Sequence, residues 1–352
     1  MLQEETLNLL RQLIATPSFS REESDTADLL INHLETHGVA VERWQNNLWA
    51  KSDHFDPQRP TLLLNSHHDT VKPNAAYQRD PFAPDLVDDR LYGLGSNDAG
   101  GALVTLLQTF LTFRKRSDLS YNLVFAASAE EEIGGPNGMA GLFDRLPKID
   151  AALVGEPTQM RAAVAERGLL VVDGYVRGGG GHAAHPGTDN ALMRALPELQ
   201  KLHGYDFERV SPALGKVRVS VTGVETNLQH NVVPAECHFV LDVRTTECYS
   251  NEATLEILRA ATTAELRARS FRNRASGLDP QHPLYRTARR LELETYASPT
   301  LSDQVFLPVP SLKMGPGRSR RSHQPDEYIT LPELGAGVRG YHQFLEQLDL
   351  YV

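Results

Sequence analysis

Thr61-Leu62-Leu63-Leu64-Asn65-Ser66-His67-His68-Asp69 starts as a short apolar run and ends in imidazole and carboxylate. An apolar run this brief reads as a strand buried on both faces, the kind that parallel sheets use. Residues 123–127 and 151–154 repeat the pattern, and residues 101–113 (GALVTLLQTFLTF) lie ahead of them as a helix candidate. Upstream, Leu7, Leu10 and Ile14, then Ala27, Leu30, Ile31 and Leu34, recur at helical spacing on either side of Pro17. Helix and strand alternating in this way predict an α/β layer fold with a largely parallel sheet.

From about residue 165 the texture changes. Residues 169–176 and 216–224 read as strands, and residues 237–244 (CHFVLDVR) alternate polar and apolar, as in a strand solvated on one face. Helices are predicted over 190–202 and 251–269, with a further strand near Ser270. The order β-α-β-β-α-β describes a small two-layer α+β module inserted into the first domain. The α/β texture resumes around residues 310–314, so the expected division is 1–163, 164–273 and 274–352. A chain of 352 residues is long enough for two domains.

Composition narrows the function. Acidic residues outnumber basic ones 45 to 35, which argues against a nucleic-acid binder. The two cysteines, Cys237 and Cys248, are too few for a disulfide framework or a cysteine-built zinc site. The first residues (MLQEETLNLL) carry acids where a signal peptide carries positive charge. No apolar run reaches the ~18 residues of a membrane span. A cytoplasmic protein is the expectation.

Ligands of open α/β sheets bind outside the carboxyl ends of the strands, so the residues just past each strand carry the most information. After TLLLN come His67, His68 and Asp69; after NLVFAASA come Glu130, Glu131 and Glu132; after AALVG comes Glu156. Asp98 precedes the 101–113 helix, and His323 sits in the Gly-rich loop after PSLKM. Each feature alone has an ordinary explanation: a solvated charge run, a helix cap, a structural histidine. Together, five segments bring imidazole and carboxylate to one sheet edge, where so many buried acids would repel one another without a cation. That donor set suits zinc better than magnesium or calcium. The spacing does not choose among Glu130, Glu131 and Glu132.

Other chemistries are less well supplied. The chain has no Gly-x-Ser-x-Gly, no phosphate-binding Gly-Lys-Ser/Thr and no His-Glu-x-x-His. Gly178–Ala183 formally fits a dinucleotide turn, but Pro186 interrupts the helix that such a turn opens. The histidines at 33, 37, 54, 203, 238, 282 and 342 are expected to be surface or structural groups without partners.

These residues also resemble a known family. His67-His68-Asp69-Thr70-Val71 is similar to the His-x-Asp-Thr/Val-Val of the M20 metallopeptidases, and Glu130–Gly135 to their Asp-Glu-Glu-x-Gly-Gly. Gly155-Glu156-Pro157-Thr158 matches their Gly-Glu-Pro, and Gly181-His182-Ala183, Asn231-Val232-Val233-Pro234 and Arg244 match motifs of their lid domain. The resemblance implies a zinc-peptidase-like, mostly parallel sheet with a ferredoxin-like lid and dimerisation domain. It makes His67, Asp98, Glu132, Glu156 and His323 the ligands of two zinc ions, with cobalt able to substitute. Asp98 would bridge, with His67 and Glu156 on one ion and Glu132 and His323 on the other. It makes Asp69 the acid that orients His67, Glu131 the general base, and His182 a lid donor that reaches across a homodimer. Arg244, Asn231 and Arg318 are the candidates for binding substrate; Lys72 and His185 are left without a role.

The chain departs from the commoner members at Lys72, between Val71 and Pro73, and at Gly-Leu-Gly-Ser-Asn-Asp98-Ala-Gly-Gly. That variant looks most like deacylases acting on N-acyl-ornithine or N-acyl-citrulline in arginine biosynthesis. Acetyl and succinyl both remain open. A peptidase or dipeptidase, or a succinyl-diaminopimelate desuccinylase, would use the same site, and a non-catalytic binding protein would share the fold.

Overall fold

Leu10, Leu30 and Leu34, from the two helical patterns that open the chain, are fully buried against the central sheet. They lie on α1 (Leu2–Ala15) and α2 (Ser24–Thr36). The computed structural model describes residues 2–350. The described chain falls into two units. One comprises the stretches running to Val164, over Leu278–Tyr296 and from Ser302 onward; the other comprises Ala165–Gly277 with Ala297–Leu301.

In the first unit, β1 (Val41–Trp44), β2 (Asn47–Lys51), β3 (Thr61–His67), β4 (Asn122–Ser128), β5 (Ala151–Val154) and β6 (Ala162–Glu166, whose last two residues are counted with the second unit) join β11 (Ser311–Lys313) in one sheet. The spatial order is β1-β2-β4-β3-β5-β11-β6. The core strands β4, β3, β5 and β11 run parallel, and β3, β4 and β5 are buried along their whole length. Continuous apolar runs are what a strand covered on both faces requires. The main cover on one side is α3 (Gly101–Phe113), apolar nearly all round and buried from Gly101 to Phe110. Outside it packs the last helix, α6 (Leu331–Gln347), whose start is fixed by a capping box between Thr330 and Glu333.

The second unit is an antiparallel sheet with two helices. Its strands are β7 (Gly168–Arg177), β8 (Arg218–Glu225), β9 (Glu236–Thr245) and β10 (Glu265–Ala268), in the spatial order β8-β9-β7-β10. That order and the intervening α4 (Ala191–Leu202) and α5 (Asn251–Ala261) give the ferredoxin-like arrangement. Buried and half-buried residues alternate along β7 and β9. Leu170, Val172, Phe239 and Leu241 meet Ala195, Leu202, Leu255 and Leu258 in a separate core.

The helix expected over 251–269 ends early, at Ala261. Thr262 turns extended, and its hydroxyl and the Thr263 amide both donate to the Glu198 carboxylate, at 2.6 and 3.0 Å. Two β-branched residues in a row lose side-chain freedom in a helix, and a buried acceptor rewards them for leaving it. Residues 265–268 then pair with β7 and supply the closing strand.

Candidate metal centre

The parallel strands point their carboxyl ends to one edge, and each carries polar residues there. His67 is the last residue of β3. Past β4, the chain turns through Glu130, in the left-handed region at φ 54°, into a short 3-10 turn over Glu131–Ile133. Past β5 come Gly155 and Glu156. A side chain on Gly155 would meet Leu106, Ala102 and Ser66, so glycine is what allows α3 to lie this close to the strand end.

Geometry separates the three adjacent acids. The Glu130 carboxylate is buried and faces away, accepting from the Asn137 side chain (2.9 Å) and amide (3.2 Å). Glu131 brings Oε2 to 4.0 Å from His67 Nε2. Glu132 brings Oε2 to 2.9 Å from His323 Nε2.

Asp98 lies between the two imidazoles. Its Oδ1 is 3.4 Å from His67 Nε2 and its Oδ2 is 3.7 Å from His323 Nε2. Glu156 Oε1 is 3.8 Å from His67 Nε2. His67, Asp98 and Glu132 each offer a donor atom, and these three atoms lie within 4.8 Å of one another. The structure therefore brings together His67, Asp98, Glu131, Glu132, Glu156 and His323.

Behind them, Asp69 is buried beside His67. Its main-chain carbonyl is 3.0 Å and its Oδ1 3.4 Å from His67 Nδ1. Asp69 also accepts from the Ser20 hydroxyl (2.7 Å) and from the main-chain amides of Glu131 (3.0 Å) and Glu132 (3.2 Å). One carboxylate thus orients the imidazole and the turn that carries both glutamates. Burial works against its ionisation, but the His67 and Ser20 bonds outweigh that and hold its pKa below the usual value.

Sequence reasoning gave two neighbours no role. Glu327, four residues after His323 and fully buried, accepts from the amides of Asn97 and Asp98, each at 2.8 Å. It staples the loop that presents Asp98; the only sequence signal was a carboxylate in the same loop as a candidate ligand. Asp303, also buried, accepts from Ser128 Oγ at 2.5 Å. The second histidine of the pair, His68, takes a structural place. Its Nε2 donates to the Asn46 carbonyl and its Nδ1 lies 2.9 Å from the Thr26 hydroxyl, while burial lowers its pKa to about 4.

The site holds more buried carboxylate than its imidazoles can neutralise. Burial, then neighbouring acids, push Glu156 well above its usual pKa; burial also raises Glu132, and it raises Glu131 strongly against the pull of His67. Burial opposes the charge on His67, but Glu131, Asp69 and Asp98 around it raise its pKa well above the ordinary value. The Glu132 bond lifts His323 to about 9. Imidazole nitrogens and carboxylate oxygens facing one another with surplus negative charge fit a borderline divalent cation.

These shifts make stability depend on pH. Burial pushes Asp303 to about 6 and Glu327 to about 8. A group whose folded pKa exceeds its unfolded one holds its proton longer in the fold, so stability falls as pH rises through that window, by about 1.4 kcal/mol per proton per pH unit. The raised glutamates and histidines share this sign, whereas Asp69 and Asp98, shifted downward, act only in acid. His68, lowered by burial to about 4, has the opposite sign up to its ordinary 6.5, so chelator-treated protein is expected to lose Tm from pH 6.5 to 8, and the metal-loaded protein to hold it, by calorimetry at each pH.

The candidates outside the strand-end cluster occupy other surroundings. Arg318 donates its amide to Asn97 Oδ1 (2.8 Å) and accepts from Asn97 Nδ2 (3.1 Å), while its half-exposed guanidinium lies 3.4 Å from Glu333. Lys72 is exposed. In the second unit, His182 forms a two-residue bridge with Val232, Asn231 accepts from the Ala183 amide at 3.0 Å, and Arg244 makes a two-pronged bond to Asp242. His182 Nδ1 accepts from the Ala184 amide at 3.1 Å, which leaves the ring proton on Nε2. Its ring lies 5.7 Å from that of His185.

The expectation that the other histidines lack partners is corrected. His238 lies on β9 and bonds Asp173 at 2.8 Å, His37 meets Glu5 at 2.6 Å, and His203 Nδ1 accepts from the Val221 amide. Cross-strand and cross-helix neighbours are invisible to local sequence context.

Known proteins match the chain in sequence pattern and in fold. The model of Peptidase family M20/M25/M40 matches residues 63–347. The chain is similar in structure to aminopeptidase PepT of Bacillus cereus (TM-score 0.78, 17% identity, 98% of each chain). It is similar to YXEP of Bacillus subtilis, a dinuclear metal-binding peptidase from the M20 family (0.76, 16%, 98% of this chain and 97% of that one). The dipeptidase Dug1p of Saccharomyces cerevisiae is more distant (0.63, 16%, 98% and 96%). These three share its fold, and the family match spans both sides of the inserted unit. With the strand-end cluster, it establishes that this chain belongs to peptidase family M20/M25/M40 and is a metal-dependent hydrolase.

Proposed function

We propose that the protein hydrolyses the amide of an N-acylated amino acid, N-acetyl- or N-succinyl-ornithine or -citrulline, as a step of arginine biosynthesis. The observation that carries the hydrolytic reading is Asp98 standing between His67 and His323 with Glu131 beside them. The substrate class rests on the Gly93–Gly101 sequence variant, in which Asn97 brackets the Arg318 main chain.

His67, Asp98, Glu132, Glu156 and His323 would hold two divalent ions, zinc by the chemistry of the donors. When bound, such ions supply Lewis acidity toward the acyl carbonyl and a lowered water pKa. Glu131, buried so that it keeps a high proton affinity, takes the proton of the attacking water and delivers it to the departing amine nitrogen. As that C–N bond breaks, the amine leaves neutral. Asp69 holds His67 and the Glu131 turn in place throughout. His182, with its proton on Nε2, donates to the carbonyl oxygen as negative charge develops there, and Arg318, Arg244 and Asn231 are the polar groups for the substrate's α-carboxylate.

A homodimer is part of this reading. In the second unit β8 is an edge strand, and Val224, Leu228 and, on α4, Met193 and Leu196 are exposed. An unpaired strand edge with apolar neighbours favours pairing with another copy. His182→Ala is expected to lower kcat by ~10²–10³, the usual worth of one such donor, with metal content unchanged.

The direct test is amine release by zinc-loaded protein from the four acyl amino acids, with a chelator-treated control and a set of unblocked dipeptides. Chelator-sensitive release from an acyl amino acid is the expected result. Release from dipeptides alone would replace the deacylase reading with a peptidase one, a reading that the named functions of the PepT and Dug1p relatives favour.

A further inference from the structure

A second cluster of metal-binding side chains lies on the two N-terminal helices. His33 is on α2 and His37 caps its C-terminal end, four residues on, so both project from one side of the helix. Their rings are 4.7 Å apart. Glu5, on the first turn of α1, places Oε1 2.6 Å from His37 Nε2. One donor atom from each of the three falls within 4.8 Å of the others.

The Glu5–His37 contact accounts for two of these residues and leaves His33 unexplained. His33 is half-buried, and burial, then the neighbouring His37, lower its pKa. Among the described residues its ring nitrogens have no hydrogen-bond partner, and the ring packs beside that of His37. A neutral, partnerless imidazole facing a second imidazole and a carboxylate is an open donor. His37 is prepared in the same sense: its Nδ1 lies 2.8 Å from the His33 carbonyl, to which it donates. That bond orients the ring and directs Nε2 at Glu5, as carbonyl bonds orient metal-binding histidines generally.

We propose that Glu5, His33 and His37 form a separate site for one borderline divalent cation of the zinc type, joining α1 to α2. Bonds of ~2.0–2.1 Å around a tetrahedral ion set donors ~3.4 Å apart, so Glu5 has to withdraw by less than ~1 Å from His37. The Glu5 side chain is 40% exposed and free to do so. Two nitrogens and one oxygen leave the fourth position to water. None of the three residues touches the strand-end cluster, so this site bears on how the N-terminal helices are held together and not on the chemistry.

The test is metal counting. Wild type and His33→Gln are stripped with chelator, dialysed against increasing Zn²⁺ alone, and their zinc per chain is measured. His33→Gln keeps the Glu5–His37 contact and so keeps the helix packing. Ions at the strand-end cluster are common to both proteins and cancel. Wild type is expected to hold one zinc more per chain, with an accompanying rise in Tm that His33→Gln lacks, while kcat/KM of the two loaded proteins stays the same. Glu5→Gln, which spares both imidazoles, is expected to shift this extra ion to higher Zn²⁺ concentration. Equal zinc content and equal Tm in wild type and His33→Gln across the titration would overturn the site.

Discussion

Glu131→Gln is expected to keep its full metal content and to lose about 10²–10⁴-fold in kcat, the range that a positioned general base contributes. The two halves of that expectation come from different atoms. The side chain approaches His67 Nε2 only to 4.0 Å, whereas Glu132, next in sequence, lies 2.9 Å from His323. Glu131 is also tied through its main chain, since its amide donates to Asp69. Glutamine retains that bond and the volume of the side chain, so the turn stays in place. What disappears is a carboxylate whose burial raises its affinity for a proton, and with it the route from water to leaving amine. Metal per chain by mass spectrometry and turnover on the best substrate separate the two. A variant that keeps both its metal and near-normal turnover would remove Glu131 from the reaction.

Glu132→Gln provides the internal comparison. By the same geometry it is expected to weaken metal retention as well as turnover, because it faces His323 directly. Adjacent residues with identical chemistry should therefore fail in different ways.

The sheet was legible because its strands are short, apolar throughout and trailed by polar residues. Full burial on both faces leaves a sequence no freedom to alternate, and 61–67, 122–128 and 151–154 are buried at every position. The inserted unit was legible for the opposite reason, since β9 alternates cleanly between buried and half-buried residues. Where local pattern and tertiary contact compete, the pattern misleads. Residues 262–268 carry helix-compatible spacing, yet the Glu198 carboxylate, some sixty residues away in sequence, captures Thr262 and Thr263 and frees the rest to pair with β7. At the candidate site, residue types at strand ends announced a cation, but their spacing left three consecutive glutamates undistinguished; the family resemblance assigned Glu131 and Glu132, and the contacts separate all three, with Asn137 holding Glu130, Glu131 approaching His67 and Glu132 meeting His323. Glu327 escaped notice because its role passes through main-chain amides, which have no side-chain signature.

That hidden support bears on the residue expected to matter most to metal binding. Asp98→Ala is expected to lose both cations together and to be inactive at any attainable metal concentration. The reason is that Asp98 turns one oxygen toward His67 and the other toward His323. Glu156→Ala, which touches only the His67 side, is expected to retain one ion more tightly than the other. Equilibrium dialysis against zinc reads the difference directly, and two separable losses in Asp98→Ala would rule out a bridging carboxylate. Glu327 supplies the control for position. Glu327→Gln keeps an oxygen where the Asn97 and Asp98 amides donate, so metal affinity should stay near wild type. Glu327→Leu strips both amides of their acceptor at a cost of about 1–3 kcal/mol each, and should weaken zinc binding although every ligand is present. If Glu327→Leu bound zinc as wild type does while melting lower, the staple would serve stability alone, and the direction of the Asp98 carboxylate would have to be set by His67 and His323 themselves.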